Sequence, residues 1–493
     1  MFLNQPGLLT WACFGLVTYV IGRTLLNGFR NPLSHVPGPW YTRFTHYVLK
    51  YQTMTGNRMY YVDSLHARYG PVVRVSSYQV AVADPNEFNT IHRIGSGFLK
   101  TPWYEAIGAN SGFGIGLFHI IDPKIHGPRR KLFARALSAA NLRQNCQGVV
   151  REKVVKAVDK IRAEAAGGSA DILKWLLLMT SDVIGQLSFG ESFGLLESGK
   201  INHYTKLLQM ATLSGVLCYE LPTWLCKTIS RIPIKAVQRI FGAGTAIQLY
   251  SSQGIEKMLK QQDNKANIFS RMLAECNADA EHNLSVKDIQ IEANNFMLAG
   301  ADTIATTLTY LVWTVLKKPE LQARLEAEVA AVDESTLLDD AALEKLPLLN
   351  AVIEENLRLH SSIQTNLSRM VPAQGVTFGR YFIPGGFEVE TQAYTLHRDP
   401  DVWPKPLEFD ETRWLSPAKL TTAQKNSLSP FGAGTRYCIG VHLAQMEMRM
   451  ATALLFRRCP GLKISSNMTD DMMKRKDFIT VSPAAHRCDV TLT

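Results

Sequence analysis

At 493 residues, with 46% hydrophobic and 19% charged side chains, the chain can build a large core and is too apolar for a disordered polymer. Fifty-three Lys and Arg against 43 Asp and Glu leave a formal charge of +10, which suits an anionic membrane surface or an acidic protein partner. No dense basic tract or nucleic-acid-binding pattern accompanies the excess, so nucleic acid is excluded as a partner. The eight cysteines, Cys13, Cys146, Cys218, Cys226, Cys276, Cys438, Cys459 and Cys488, include no CxxC pair and no cluster at zinc spacing. Seven read as thiols of a reducing compartment, and Cys438 stands apart.

Residues 1–22 carry no charged side chain, and the apolar run from Gly7 to Gly22 is followed by Arg23 and Arg30. Positive charge before the run and a small-residue cleavage site after it are both missing, so it reads as a membrane anchor rather than a signal peptide. A span needs about 20 apolar residues, so this one borrows polar edges such as Thr24. The arginines on its far side place the rest of the chain in the cytosol. Pro32 and the stretch His35-Val36-Pro37-Gly38-Pro39-Trp40 make a stiff, non-helical connector. The expected division is an anchor over 1–24, a proline-rich linker over 25–45 and a single domain over 46–493.

Val72 to Asp84 alternates and is β-branched, which predicts two short strands. After Pro128 apolar residues recur at three- and four-residue spacing to about residue 350, which predicts mostly helix. Residues 369–392, with the turn Pro384-Gly385-Gly386, are β-rich, and 460–493 reads as short strands and irregular chain. The fold class is mainly α with small β-sheets, without repeats or low-complexity tracts.

Several stretches carry residue types with chemical meaning. His126-Gly127-Pro128-Arg129-Arg130-Lys131-Leu132 reads on its own as a charged helix start. Ser285 to Lys317 is one long helical pattern, apolar at Ile289, Met297, Ile304, Leu308 and Val315, with Ala299-Gly300-Ala301-Asp302-Thr303 at its middle. A mid-helix glycine costs about 1 kcal/mol relative to alanine, and an unpaired buried aspartate costs more, so something offsets the cost. The plain alternative is close helix packing at Gly300, a salt bridge for Asp302 and a Thr303 bonded back along the helix. Glu355 and Arg358 share one face of an apolar helix starting near Pro347; alone, such a pair is worth less than about 1 kcal/mol. Finally, Phe431-Gly-Ala-Gly-Thr-Arg-Tyr-Cys-Ile-Gly440 sets Cys438 among glycines before an apolar helix. Helix dipole and free N–H groups there lower a thiol pKa and favour metal ligation. By residue type alone, a buried cysteine in a glycine-rich turn is the plainer reading.

The pattern Phe431-x-x-Gly434-x-Arg436-x-Cys438-x-Gly440 resembles, at every fixed position, the haem-thiolate loop of the cytochrome P-450 superfamily, and Ala444 and Glu447 resemble the helix after it. The other stretches fall in that family's order. Ala299–Thr303 resembles its oxygen-activating segment, with Ile304 where many members carry a second Thr or Ser. Glu355–Arg358 resembles its ExxR helix, and Phe409-Asp410-Glu411-Thr412-Arg413 its Phe-x-Pro-x-Arg segment, with Glu411 in place of proline. His126 to Arg130 resembles its Trp-x-x-x-Arg helix, with His126 in place of tryptophan. Phe98–Tyr104 and His397–Pro400 look most like membrane-bound fungal members of secondary metabolism.

The resemblance implies a cytochrome P-450 fold with an N-terminal transmembrane helix and haem b ligated by the Cys438 thiolate. It implies monooxygenation with dioxygen, electrons coming from NADPH through NADPH-cytochrome P-450 reductase docked against Arg130, Lys131, Arg135 and the face behind Cys438. Arg130, His126, Arg369 and Arg436, with Phe431 and Gly440, are the implied cofactor-binding residues, the arginines compensating two buried carboxylates. Asp302 and Thr303 are the implied proton relay. Glu355, Arg358 and Arg413 form an implied structural triad that holds the cysteine loop and takes no part in the chemistry. The substrate class is a lipophilic small molecule, a terpenoid, polyketide or alkaloid intermediate, met at the endoplasmic reticulum membrane. Implied pocket walls are Phe113–Ile121, the surroundings of Ala301, and Ile363–Asn366. Leu213–Leu225 dips into the bilayer or forms a plain helix-pair core. The alternative activity is a haem-thiolate isomerase or dehydratase without external dioxygen, against which the Asp302–Thr303 pair speaks. The sequons at Asn283, Asn366 and Asn467 stay unmodified in a cytosolic domain.

Overall fold

The charge-free N-terminal run forms one helix, α1 (Pro6–Phe29), whose Trp11 and Phe14 are mostly exposed. In this computed structural model, residues 6–111, 114–221, 223–260, 284–415 and 420–492 are described; Phe113, Cys276 and Asn283 lie outside them. Long and apolar enough to cross a membrane, α1 is a candidate span and extends five residues past the expected boundary at residue 24. The proline-rich segment after it is strapped down rather than a free spacer. The buried Arg74 guanidinium donates to the Leu33 carbonyl at 2.8 Å and the Val36 carbonyl at 2.9 Å, and a Cβ at Gly38 would lie 2.5 Å from the Arg74 oxygen.

Helices precede the first strands as well as follow them: α2 (Tyr47–Met54) and α3 (Arg58–Tyr69) come before β1 (Val72–Arg74) and β2 (Gln79–Val82). Next are α4 (Pro85–His92), β3 (Leu99–Lys100) and α5 (Trp103–Ser111). The helix expected to start after Pro128 is α6 (Pro123–Ala136), which starts earlier because Asp122 caps it, accepting from the Lys124 N–H at 2.8 Å, with Pro123 as first residue. Pro128 lies within it and costs it one hydrogen bond.

The core is helical. Helices α7 (Gln147–Ala166), α8 (Ile172–Phe189) and α9 (His203–Glu220) lead to α10 (Val286–Leu316), which spans the molecule. A Ser285/Asp288 capping box starts α10 and Lys317 ends it, the limits its apolar period predicts. Ile289, Met297, Ile304, Leu308 and Val315 are all buried in the main apolar cluster. Helix α11 (Pro347–His360) carries the Glu355–Arg358 pair. Then come β4 (Asn366–Met370) and β5 (Glu388–Gln392), α12 (Val441–Arg458), and the hairpin β6 (Arg475–Phe478) and β7 (Thr480–Pro483).

One five-stranded sheet, in the order β1-β2-β5-β4-β3, positions the site. Its β2–β5 pair is parallel and the others antiparallel; β3 sets Lys100 opposite Arg369 of β4. Strand alternation sends Arg369 and Thr391 to one face and Ser368, Glu388 and Glu390 to the other. The two faces therefore serve different chemistry.

Candidate active site

The cysteine loop is built by its glycines. Gly432 and Gly434 adopt φ of 75° and 62°, and a Cβ at Gly434 would lie 1.9 Å from the His92 carbonyl oxygen, so no side chain fits there. The Cys438 N–H donates to the Phe431 carbonyl at 2.9 Å and the Tyr437 N–H to Gly434 at 3.1 Å, closing the turn. Gly440 caps α12, and its N–H donates to the Cys438 sulfur. Cys438 keeps accessible surface although protein surrounds it closely, so that surface faces an internal cleft.

Contrary to the sequence expectation, the thiol pKa is raised. Burial pushes it up and outweighs the Gly440 N–H and Arg130, which pull it down. Cys438 sits two residues before the helix cap, beyond the reach of most of the dipole, whereas burial acts in full. A bound metal cation would reverse that balance.

Around the cleft lies a cluster of cations. Arg436 donates from its two terminal nitrogens to the Ile120 and Ile121 carbonyls, each at 2.7 Å. Arg369 reaches the Tyr104 hydroxyl at 3.4 Å, and half-buried Arg130 lies close enough to Cys438 for the two to feel each other's charge. Lys100, which sequence reasoning missed, is buried opposite Arg369; its Nζ donates to the Phe118 carbonyl at 2.5 Å and lies 4.3 Å from the Tyr104 ring centroid. Burial, then Arg369 and Arg436, push Lys100 well below its ordinary value. Burial, then Arg436, Lys100 and Arg130, push His126 down to about 3, so it is neutral.

Among the described residues, none of Lys100, Arg130, Arg369 and Arg436 has a carboxylate within ion-pair distance. Like charges in cross-strand register repel, and buried cations without counter-charge are costly. The buried Nδ1 atoms of His92 and His119 also find no partner. Two propionates of a porphyrin would supply the missing charge, so the residues present fit haem.

On α10 the plain packing reading holds for Gly300: a Cβ there would lie 2.9 Å from Ile184 Cγ1 of α8. Ala301 is turned into the helix pair, its carbonyl accepting from the Thr180 hydroxyl at 2.9 Å, whereas Ala299 is exposed. The Thr303 hydroxyl donates back to the Ala299 carbonyl at 2.6 Å and retains accessible surface; Asp302 beside it is half-buried.

The implied triad comes together. Arg358 meets Glu355 through two hydrogen bonds, at 2.7 and 2.9 Å, both side chains fully buried, and Arg413 reaches Glu355 at 3.3 Å. Trp414 and the Asp410 N–H complete the carboxylate at 3.0 Å each. Arg358 also donates to the His397 carbonyl at 2.6 Å, and His397 Nε2 accepts from the Ser429 N–H at 2.8 Å, two residues before Phe431. The network therefore reaches the cysteine loop through His397, a residue whose part no local pattern announced.

A cysteine offered from a glycine loop to an internal cleft, ringed by uncompensated cations, on a mainly helical fold, defines a haem-thiolate protein. The family model for Cytochrome P450 matches residues 36–487. The chain is 37% identical to cytochrome P450 monooxygenase stcB of Emericella nidulans, over 96% of this chain and 91% of that one. It is 36% identical to cytochrome P450 monooxygenase aflV of Aspergillus parasiticus, over 95% of this chain and 93% of that one. It is 32% identical to methylphloroacetophenone oxidase of Cladonia uncialis, over 81% of this chain and 89% of that one. A crystal structure of the cytochrome P450DA heme domain superposes with a TM-score of 0.77 at 20% identity, covering 93% of this chain and 98% of that one. The chain belongs to the cytochrome P450 family. It is a monooxygenase of that family, related to those of fungal secondary-metabolite pathways, as the sequence resemblance implied.

Proposed function

We propose that the protein is anchored in the endoplasmic reticulum membrane by α1, its single domain in the cytosol, and hydroxylates, epoxidises or successively oxidises a lipophilic secondary metabolite. Electrons come from NADPH through NADPH-cytochrome P-450 reductase, and the oxidant is dioxygen. The observation that carries this reading is the set Lys100, Arg130, Arg369 and Arg436, none of which has a carboxylate at ion-pair distance among the described residues, beside an accessible Cys438.

When bound, haem would supply the activation of dioxygen that amino-acid side chains cannot. Cys438 would ligate its iron through the thiolate, and Lys100 with the three arginines and His126 would hold its propionates. The Thr303 hydrogen is committed to the Ala299 carbonyl, which leaves the Thr303 oxygen as an acceptor able to orient a donor in the cleft. Asp302 is the acid that replenishes that proton path. Glu355, Arg358 and Arg413 fix the loop and do not touch the reaction. The relative named for methylphloroacetophenone makes an oxygenated aromatic a reasonable substrate class.

The reduced, carbon monoxide-treated protein should show the red-shifted absorption band of thiolate-ligated haem, and Cys438→Ala should lose both that band and turnover. Pigmented, active Cys438→Ala protein would overturn the assignment. With reductase added, substrate should drive matched consumption of NADPH and dioxygen; conversion without dioxygen uptake would instead identify the isomerase or dehydratase.

A further inference from the structure

Glu292 lies on α10 two turns before Ala299, and its carboxylate is fully buried although no step assigned above uses it. Both of its oxygens accept from the Leu117 N–H, at 2.9 and 3.1 Å, and Arg129 of α6 reaches Oε1 at 3.4 Å. The close approach depends on Gly116, where a Cβ would lie 2.5 Å from Asn295 Nδ2 and 2.9 Å from Glu292 Oε2. Without the acceptor, the Leu117 N–H would be buried and unpaired.

From that contact the chain makes a single turn, in which the His119 and Ile120 N–H groups donate to the Gly116 carbonyl at 2.8 and 3.1 Å. The carbonyls further along it hold two of the inward cations: Phe118 accepts from Lys100, and Ile120 and Ile121 accept from Arg436. Glu105 of α5 takes the Ile121 N–H at 3.2 Å, so the turn hangs between two carboxylates, of which Glu292 is the more buried. A displacement of Leu117 is therefore carried along the chain directly to the partners of Lys100 and Arg436.

The charged groups that face Glu292 are Arg129 of α6 and Asp288, one turn earlier on α10; the 116–117 segment meets it with backbone. Burial pushes the Glu292 carboxyl up to about 7, against the Leu117 N–H and Arg129, which pull it down, while Asp288 pushes it up. Lifting the turn would let water reach the carboxyl and return it towards its ordinary value of 4.5. A carboxyl whose pKa is higher in the closed arrangement favours closure at low pH, and that contribution is lost as pH rises through the closed value.

We propose that Glu292 is a positioning residue for the cofactor cluster: through the 116–121 turn it sets the carbonyls that orient Lys100 and Arg436, and opening of that turn is linked to release of the Glu292 proton. The role of those two cations rests on the haem-thiolate reading; the link between Glu292 and the turn does not.

The test compares full-length holoprotein of the wild type, Glu292→Gln and Glu292→Leu, with the carbon monoxide spectrum reporting an intact haem-thiolate centre. Amide hydrogen exchange read by mass spectrometry gives protection factors for the peptide 114–121. Wild-type protection should fall about tenfold as pH rises from about 5.5 to about 7 and level off above that. Glutamine, an acceptor that cannot ionise, should keep the low-pH protection throughout, whereas leucine, which accepts nothing, should lose about tenfold even at the low end. Haem transfer to excess apomyoglobin should be several-fold faster from Glu292→Leu than from Glu292→Gln. Arg129→Gln, which removes the cation that pulls the carboxyl down, should extend the wild-type fall to higher pH, and it serves where Glu292→Leu fails to fold. His119 on the turn is neutral across this range, burial pushing it down to about 3, and Glu388, also raised to about 7, is common to all four proteins and cancels. Wild-type protection indifferent to pH, the same pH profile in Glu292→Gln, or wild-type protection and haem transfer in Glu292→Leu would each overturn the proposal. A wild type without the carbon monoxide band would overturn the haem-thiolate reading instead.

Discussion

His397 is held in a single tautomer from both sides. Its Nδ1–H donates to the Arg358 carbonyl at 2.8 Å, and its Nε2 accepts from the Ser429 N–H at 2.8 Å. Protonation would set a second N–H against the Ser429 donor, and burial already pushes the pKa to about 3. A histidine whose folded pKa is depressed stabilises the fold above its ordinary value of about 6.5, and that contribution is lost as pH falls towards the folded value. His397→Gln keeps a donor and an acceptor but cannot titrate. Urea unfolding of the two proteins should therefore show the wild type more stable at pH 7, with the gap narrowing by about 1 kcal/mol per pH unit below 6.5. Parallel pH profiles would show that His397 is not the linking group. His66 and His119, also driven down by burial, are common to both proteins and cancel in the comparison.

The helix pair α8 and α10 shows what a short motif can and cannot say. Gly300 lies against Ile184, with Cγ1 at 2.9 Å and Cβ at 3.2 Å from where its own Cβ would stand. Alanine would gain about 1 kcal/mol of helix propensity and lose more by forcing the helices apart. Gly300→Ala should thus lower stability by about 1 kcal/mol or more in the wild type, and be neutral or stabilising in an Ile184→Ala background. Additive effects in urea unfolding would show that the contact is not what selects glycine. The ends of α10 were legible from Ser285, Lys317 and its apolar period, because capping and periodicity are local. Glu355, Arg358 and Arg413 were legible only as an order of motifs, since 55 residues separate Arg358 from Arg413 along the chain. Lys100 was not legible at all. Its meaning comes from register, β3 against β4, and nothing in a two-residue strand announces which residue it will face. The start of α6 was misread because Pro128 looks like a boundary, whereas Asp122 and Pro123 are the signals that act.

At the scale of the whole molecule, the excess of +10 divides between two tasks. Some cations are turned inward, Lys100 and Arg369 buried and Arg130 and Arg436 half-buried, where they would compensate a bound dianion. Others face outward, among them Lys131 and Arg135, which are exposed on α6, the helix that carries Arg130 towards Cys438. A basic surface one helix away from the metal ligand suits an acidic electron donor, and α1 would hold both partners at one membrane. Attraction between exposed charges is screened over about 30 Å at 0.01 M salt but only about 10 Å at 0.1 M. Stopped-flow reduction by reductase should therefore slow several-fold across that interval. Lys131→Glu should slow it further at low salt and flatten the dependence, while the carbon monoxide band stays unchanged, because Lys131 is exposed and the inward cations are untouched. A wild-type rate indifferent to salt would place the donor elsewhere, and a Lys131→Glu protein that lost its haem would show that the outward and inward charges are not separable.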